Sequence, residues 1–416
     1  MSRTQIRVLL ILMSTFVMGL IVSAQDRNSI QQLGELTASD GTAYSSLGFS
    51  VAVAGNTVAA GGDFTNIGAV YVYLKPLSGW GNATQVAKLT ASDAVSLGYS
   101  IAISSDETTI VAGDRNNGPS IRPNRGAVYV FVKPASGWND MTETAKLTAS
   151  DGRDGDMLGT AVAISGNTVV AGAPANPDVR VHGKAYVFVK PSSGWANRTQ
   201  NAKFTASDGK NNDFFGNSVS IGGNTVVVGA PQRQPAIGPG AAYLFVKPVE
   251  GWKNAHETAE LTASDGVVND GLGTSVSISG DTIAAGAPAA RSAHGVVYVF
   301  VRPAKGWIDS TQTAELTSAQ ADTVILGKSV SVNGNTIVAG AASQRTTVGL
   351  AFMFVKPVSG WTNSTETRKL KATNGQRHDL FGFSVSATRN TIVIGAPGVA
   401  PSPSERLEGA VYVFGK

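Results

Sequence analysis

Residues Phe204–Trp252 read FTASDGKNNDFFGNSVSIGGNTVVVGAPQRQPAIGPGAAYLFVKPVEGW. Phe214-Phe215-Gly216 leads into Asn217–Ile221, where small and apolar residues alternate with the period of two that marks a strand. Gly223-Asn224 is a two-residue hairpin link of the kind that supplies positive φ at low cost. Thr225–Ala230 is the return strand, and Pro231 stops it because proline cannot donate to a ladder. Beyond a Gly/Pro-rich loop, Ala241–Lys247 forms a third strand, and Gly251-Trp252 turns towards a fourth, Ala259–Ala263. One stretch thus encodes one four-stranded antiparallel unit.

The unit recurs with starts at Leu36, Leu89, Leu147, Phe204, Leu261, Leu316 and Leu370. Internal repetition decides a fold before local propensity does. Every copy carries an apolar-Gly pair before its first strand: Leu47-Gly48, Leu97-Gly98, Leu158-Gly159, Phe215-Gly216, Leu272-Gly273, Leu326-Gly327 and Phe381-Gly382. Four copies end the second strand in Gly-Ala-Pro, at Gly172, Gly229, Gly286 and Gly395. In Ala69–Lys75 both faces are apolar, as in a strand buried between two sheets. Four short strands per repeat of about this length predict an all-β, seven-bladed β-propeller. A β-helix is the runner-up, but its coils are shorter than this period. The seventh copy stops at its third strand, Val411–Lys416, whereas Ile30–Ala38 resembles the fourth strand of other copies. The N-terminal strand is therefore expected to complete the last blade and close the ring.

The pattern Phe215-Gly216 … Gly229-Ala230-Pro231 resembles the FG-GAP repeat. That repeat builds the seven-bladed propeller of integrin alpha chains and of many secreted bacterial proteins. The resemblance covers residues 25–416 and implies a fold, while propellers host many activities. Integrin-type repeats that bind calcium carry an Asp/Asn-rich loop between the first two strands. Here that link is a bare turn such as Gly55-Asn56 or Gly166-Asn167, so no calcium site carries over.

Upstream of the repeats, Arg3 and Arg7 precede the apolar run Val8–Val22 and a small-x-small site at Val22-Ser23-Ala24. Residues 1–24 are read as a secretory signal peptide, with an uncleaved anchor as the alternative. The expected location is secreted or extracytoplasmic: periplasm, cell surface or extracellular. With zero cysteines, the exported chain must hold together by packing and strand pairing alone. Formal charge is +4, and +2 without Arg3 and Arg7; no Lys/Arg run points to nucleic acid.

In an up-and-down blade the strand 2–3 and strand 4–1 loops emerge on one face. On the 2–3 loops lie Arg115, Arg122, Arg125, Arg180, Arg233, Arg291, Arg345 and Arg406, with His182 and His294. Guanidinium forks match carboxylate, sulfate or phosphate, so this face is a candidate for anionic ligands. The bland reading is scattered solubilising charge. On the 4–1 loops, Asp151, Asp154 and Asp156 bring three carboxylates close in sequence, enough to suggest weak calcium binding. Ser-Asp-Gly turns, in which Asp bonds its own backbone, explain them equally.

All six Trp follow the third strand in a Gly-Trp pair, at Trp80, Trp138, Trp195, Trp252, Trp307 and Trp361. Identical placement in every copy is what packing demands, although a ring of Trp would also suit sugar stacking. Sequons at Asn82, Asn197 and Asn363 recur in the same linker. Hydrolase and metalloprotease motifs are absent, and the four His fall in different copies. The functional expectation is a monomeric, non-catalytic binding module for an extracellular protein or an acidic glycan, without a cofactor. A carbohydrate lectin and an enzyme with an axial active site are the alternatives.

Overall fold

A computed structural model describes residues 30–41, 45–62, 67–117, 124–176, 181–232, 238–320, 325–342, 348–400 and 408–415. Residues 1–24, read above as a signal peptide, lie outside them. The described residues form seven small sheets in a ring, a seven-bladed β-propeller. The innermost strands of blades 1 to 7 are Ser50–Ala54, Ser100–Ile103, Ala161–Ser165, Ser218–Gly222, Ser275–Ser279, Ser329–Asn333 and Ser384–Ala387. Each lies beside the innermost strands of both neighbours, blade 7 beside blade 1 included.

Within blade 4, Ser218–Gly222 pairs antiparallel with Thr225–Ala230, which pairs with Ala241–Val246, which pairs with Ala259–Thr262. Gly223 takes φ 57 in the hairpin, as do its equivalents Gly55 and Gly166 at φ 49 and 54. Third strands are buried on both faces, and each hydrophobic cluster draws on two adjacent blades. A side chain such as Tyr71 or Phe131 is therefore covered by its neighbour's sheet as well as its own.

Blade 7 closes the ring. Its third strand, Ala410–Gly415, pairs antiparallel with the N-terminal strand Gln31–Thr37, from Gln31 opposite Gly415 to Leu36 opposite Val411. Leu36 is fully buried in the cluster shared by blades 7 and 1.

The blades also carry something beyond the expected four strands. Beginning three residues after each Trp, a short segment pairs in parallel with the fourth strand of the preceding blade, giving five sheets a fifth strand. Met141–Thr142 of blade 2 joins Leu89 and Thr90 of blade 1 in this way. Asn82, Asn197 and Asn363 supply its hydrogen bonds: their Oδ1 atoms accept from the amides of Glu35, Lys146 and Glu315. Asp140 and Asp309 do the same in blades without a sequon. Five Trp are at most 8% exposed, and the sixth, Trp252, packs edge-on against Phe204. These linkers clasp blade to blade.

Candidate functional site

Arg122, Arg180, Arg233, Arg345 and Arg406 lie outside the described residues. The other three arginines have different surroundings. Arg125 pairs with Asp154 at 2.7 Å. Arg291, in left-handed backbone at φ 53, reaches Glu315 and, at 3.6 Å, Asp265. Such half-solvated pairs contribute little. Arg115 pairs with no carboxylate among the described residues. Its guanidinium lies over the Tyr99 ring, 4.0 Å from the centroid, and its Nε is buried without an acceptor.

Asp151, Asp154 and Asp156 are each held by a separate cation. Lys203 donates to Asp151 at 2.8 Å, Arg125 to Asp154, and Lys184 to Asp156 at 3.0 Å. Among the described residues no three His, Cys, Asp or Glu side chains gather as a metal site would require. Asp151 also accepts from the Tyr186 hydroxyl at 2.9 Å. Burial would raise its carboxyl, but the bonds from Lys203 and Tyr186 outweigh burial and hold it below the ordinary range. Asp40 and Asp93 sit in the same Lys–Tyr arrangement with the same result. In blade 6 Phe352 replaces the Tyr, and Gln320 replaces the Asp. The pair is lost together, as partners in one hydrogen bond should be.

Asp156 serves a different purpose. It is 2% exposed and accepts from its own loop, at the Arg153 amide, while its backbone carbonyl accepts from Ala175 on the 2–3 loop. Asp213, Asp270 and Asp379 repeat this staple through Lys210, Val267 and Gln376. Burial pushes these three carboxyls up. Blade 2 reaches the same end from the opposite strand: Asp114 accepts from Val95 and Ser96. The staples fix both loops of the face around the axis.

What they fix is a ring. The residue after each apolar-Gly pair opens an innermost strand: Phe49, Tyr99, Thr160, Asn217, Thr274, Lys328 and Phe383. All but Phe383 line a channel of about 250 Å³ along the axis. Phe383, Phe49 and Tyr99 form an aromatic arc with centroid spacings of 4.8 and 5.0 Å. A cation stands at each end, Lys328 over Phe383 at 5.4 Å and Arg115 over Tyr99. Thr160, Asn217 and Thr274 make the remaining arc polar. Beside Tyr99 a cavity of about 330 Å³ opens between blades 2, 3 and 4, lined by Arg115 and the amides of Asn116, Asn124, Asn176 and Asn217. Met157 and Phe214 also line it, both from left-handed backbone, at φ 57 and 58.

Apart from Arg115, sequence reasoning missed this rim. The signal was present: between an invariant Gly and a nearly constant Ser, one position reads Phe, Tyr, Thr, Asn, Thr, Lys, Phe along the seven copies. Variation inside a constant frame marks recognition.

A profile of the FG-GAP repeat matches residues 30–73, 83–131, 141–188, 198–245, 256–300 and 364–414. The chain belongs to the FG-GAP repeat family. The first three strands of blade 6 fall outside the matched stretches, and there Ala342 stands in place of the Pro and Phe352 in place of the Tyr. No curated protein matches the chain. Among solved structures, 402 chains match. One is the WD40 beta propeller domain of Doa1, with a TM-score of 0.54 at 10% identity, covering 94% of this chain and 98% of that one. At that identity the likeness is one of fold.

The geometry explains both halves of the FG-GAP signature. The carbonyl of each FG glycine sits against the Gly of the preceding blade's GAP: a Cβ on Gly229 would collide with the Gly273 oxygen, and one on Gly172 with that of Gly216. The FG glycines themselves hold φ between 85 and 96 in six blades and 88 in Gly48. Two glycines, one per blade, let the backbones meet at the axis.

Proposed function

We propose that this FG-GAP propeller is an exported, non-catalytic binding module. It would recognise a surface polymer or protein through the face formed by the 2–3 and 4–1 loops, centred on the axial mouth. The observation that carries the reading is the cavity beside Tyr99, where a guanidinium unpaired among the described residues, four amides and an aromatic ring converge on stapled loops. Ligand sites combine apolar walls with a few convergent polar groups in this way. A surface polymer is favoured over a protein, because the cavity is small and its amides both donate and accept, as sugar hydroxyls require. Recognition in this reading needs no metal, since Asp151, Asp154 and Asp156 have cations of their own.

The test is an array of glycans and surface proteins probed with the chain from residue 25 onward, with and without chelator. A Tyr99→Ala, Asn217→Ala double variant should lose whatever the wild type binds, while Asn167→Ala in the opposite-face hairpin should not. Equal loss in both variants, or loss in neither, would remove this face from recognition.

A further inference from the structure

We infer that the cavity beside Tyr99 takes one carboxylated pyranose, a uronic acid unit of an acidic polysaccharide. This rests on the binding-module reading and adds the ligand's chemical class.

Four features point the same way. The Arg115 guanidinium lies over the Tyr99 ring, and its planar fork of donors suits a bidentate carboxylate. Its Nε is buried without an acceptor, and its terminal nitrogens bond no described residue. The side-chain amides of Asn116 and Asn124 bond no other described residue, and each offers both donors and an acceptor to ring hydroxyls. Met157 and Phe214 in the cavity wall give the C–H face of a pyranose an apolar surface. At about 330 Å³ the cavity is at the small end of ligand sites, which favours a single sugar unit over a folded partner. An acidic peptide would satisfy Arg115 but would leave the amides without hydroxyls.

Isothermal titration of the chain with a galacturonate trimer, a galactose trimer and tri-aspartate tests this. The galacturonate trimer should bind at least about tenfold tighter than either of the others, the share of a charge-assisted hydrogen bond. Arg115→Met, which retains the stacked stem, should bring galacturonate down to the galactose level with its melting temperature nearly unchanged. Equal affinity for galactose, tighter binding of tri-aspartate, an unaffected Arg115→Met variant, or no binding of galacturonate at all would overturn the inference. Thr160→Trp, which fills the cavity, separates the two claims. Galacturonate and galactose binding equally, and both lost in Thr160→Trp, would leave the face as the site and discard the uronate. Galacturonate binding untouched by Thr160→Trp would discard both.

Discussion

Ser384 of blade 7 donates its hydroxyl to the carbonyl of Gly48 in blade 1 at 2.8 Å, across 336 residues of sequence. Five other junctions make the same bond, from Ser50 to Gly98 through Ser329 to Gly382. At the seventh, Ala161 stands where the serine would be. The seam between the chain's two ends is thus built like the internal junctions, with the FG carbonyl held by a hydroxyl and received by a glycine.

Gly395→Ala should therefore destabilise the protein by about 1–3 kcal/mol, because its Cβ would strike the Gly48 carbonyl, a backbone atom that cannot rotate away. Gly81→Ala, with nothing near its Cβ, should be close to neutral. Denaturant midpoints compare the two. Equal midpoints would mean that the blades do not meet at these glycines.

Removing residues 25–38 should open the ring. The edge of Ala410–Gly415 would lose its partner and the core would lose Leu36, whose truncation alone is a loss of about 2–5 kcal/mol. Light scattering and melting should show association and a lower midpoint. A monomer that melts like the intact chain would refute the closure.

The clasp predicts that Asn82→Ala leaves the Glu35 amide without its acceptor and costs about 1 kcal/mol, whereas Asn82→Asp is tolerated, as Asp140 is in blade 2. Thermal midpoints of the two variants should differ in that order. Equal losses would point to the amide donors instead.

Stability should respond to acid in two opposite senses. Asp40, Asp93 and Asp151 are lowered in the fold, so their contribution is present above about pH 4 and is lost as pH falls through the folded values. Asp213, Asp270 and Asp379 are raised, so their buried charge is unfavourable at neutral pH and is relieved as pH falls through theirs. The melting temperature should be flat or rise slightly on mild acidification, then fall below about pH 4. Lys203→Met, which strips Asp151 of its cation, should lower the melting temperature at neutral pH and make that acid fall shallower. An unmoved acid limb would show that the Lys203 pair does not set it.

The fold was legible because glycine pairs, Gly-Asn turns and doubly apolar third strands recur in register, and each has one local cause. The clasp strands were not, because two residues such as Met141-Thr142 are too short to show a period. Arg125 and Arg291 read as open charges in sequence, yet Asp154 and Glu315, tens of residues away, neutralise them in space. The axial rim was hidden for the same reason. Phe49 and Phe383 meet at 4.8 Å only because the ring closes.

The central claim is that ligand enters at the axial mouth. Amide hydrogen exchange of the chain, alone and saturated with polygalacturonate, tests it most directly. The account predicts added protection at Tyr99, Arg115-Asn116, Met157–Thr160 and Asn217, with the hairpins at Asn56, Asn167 and Asn224 unchanged. Protection at those hairpins, or none around the mouth, would contradict it.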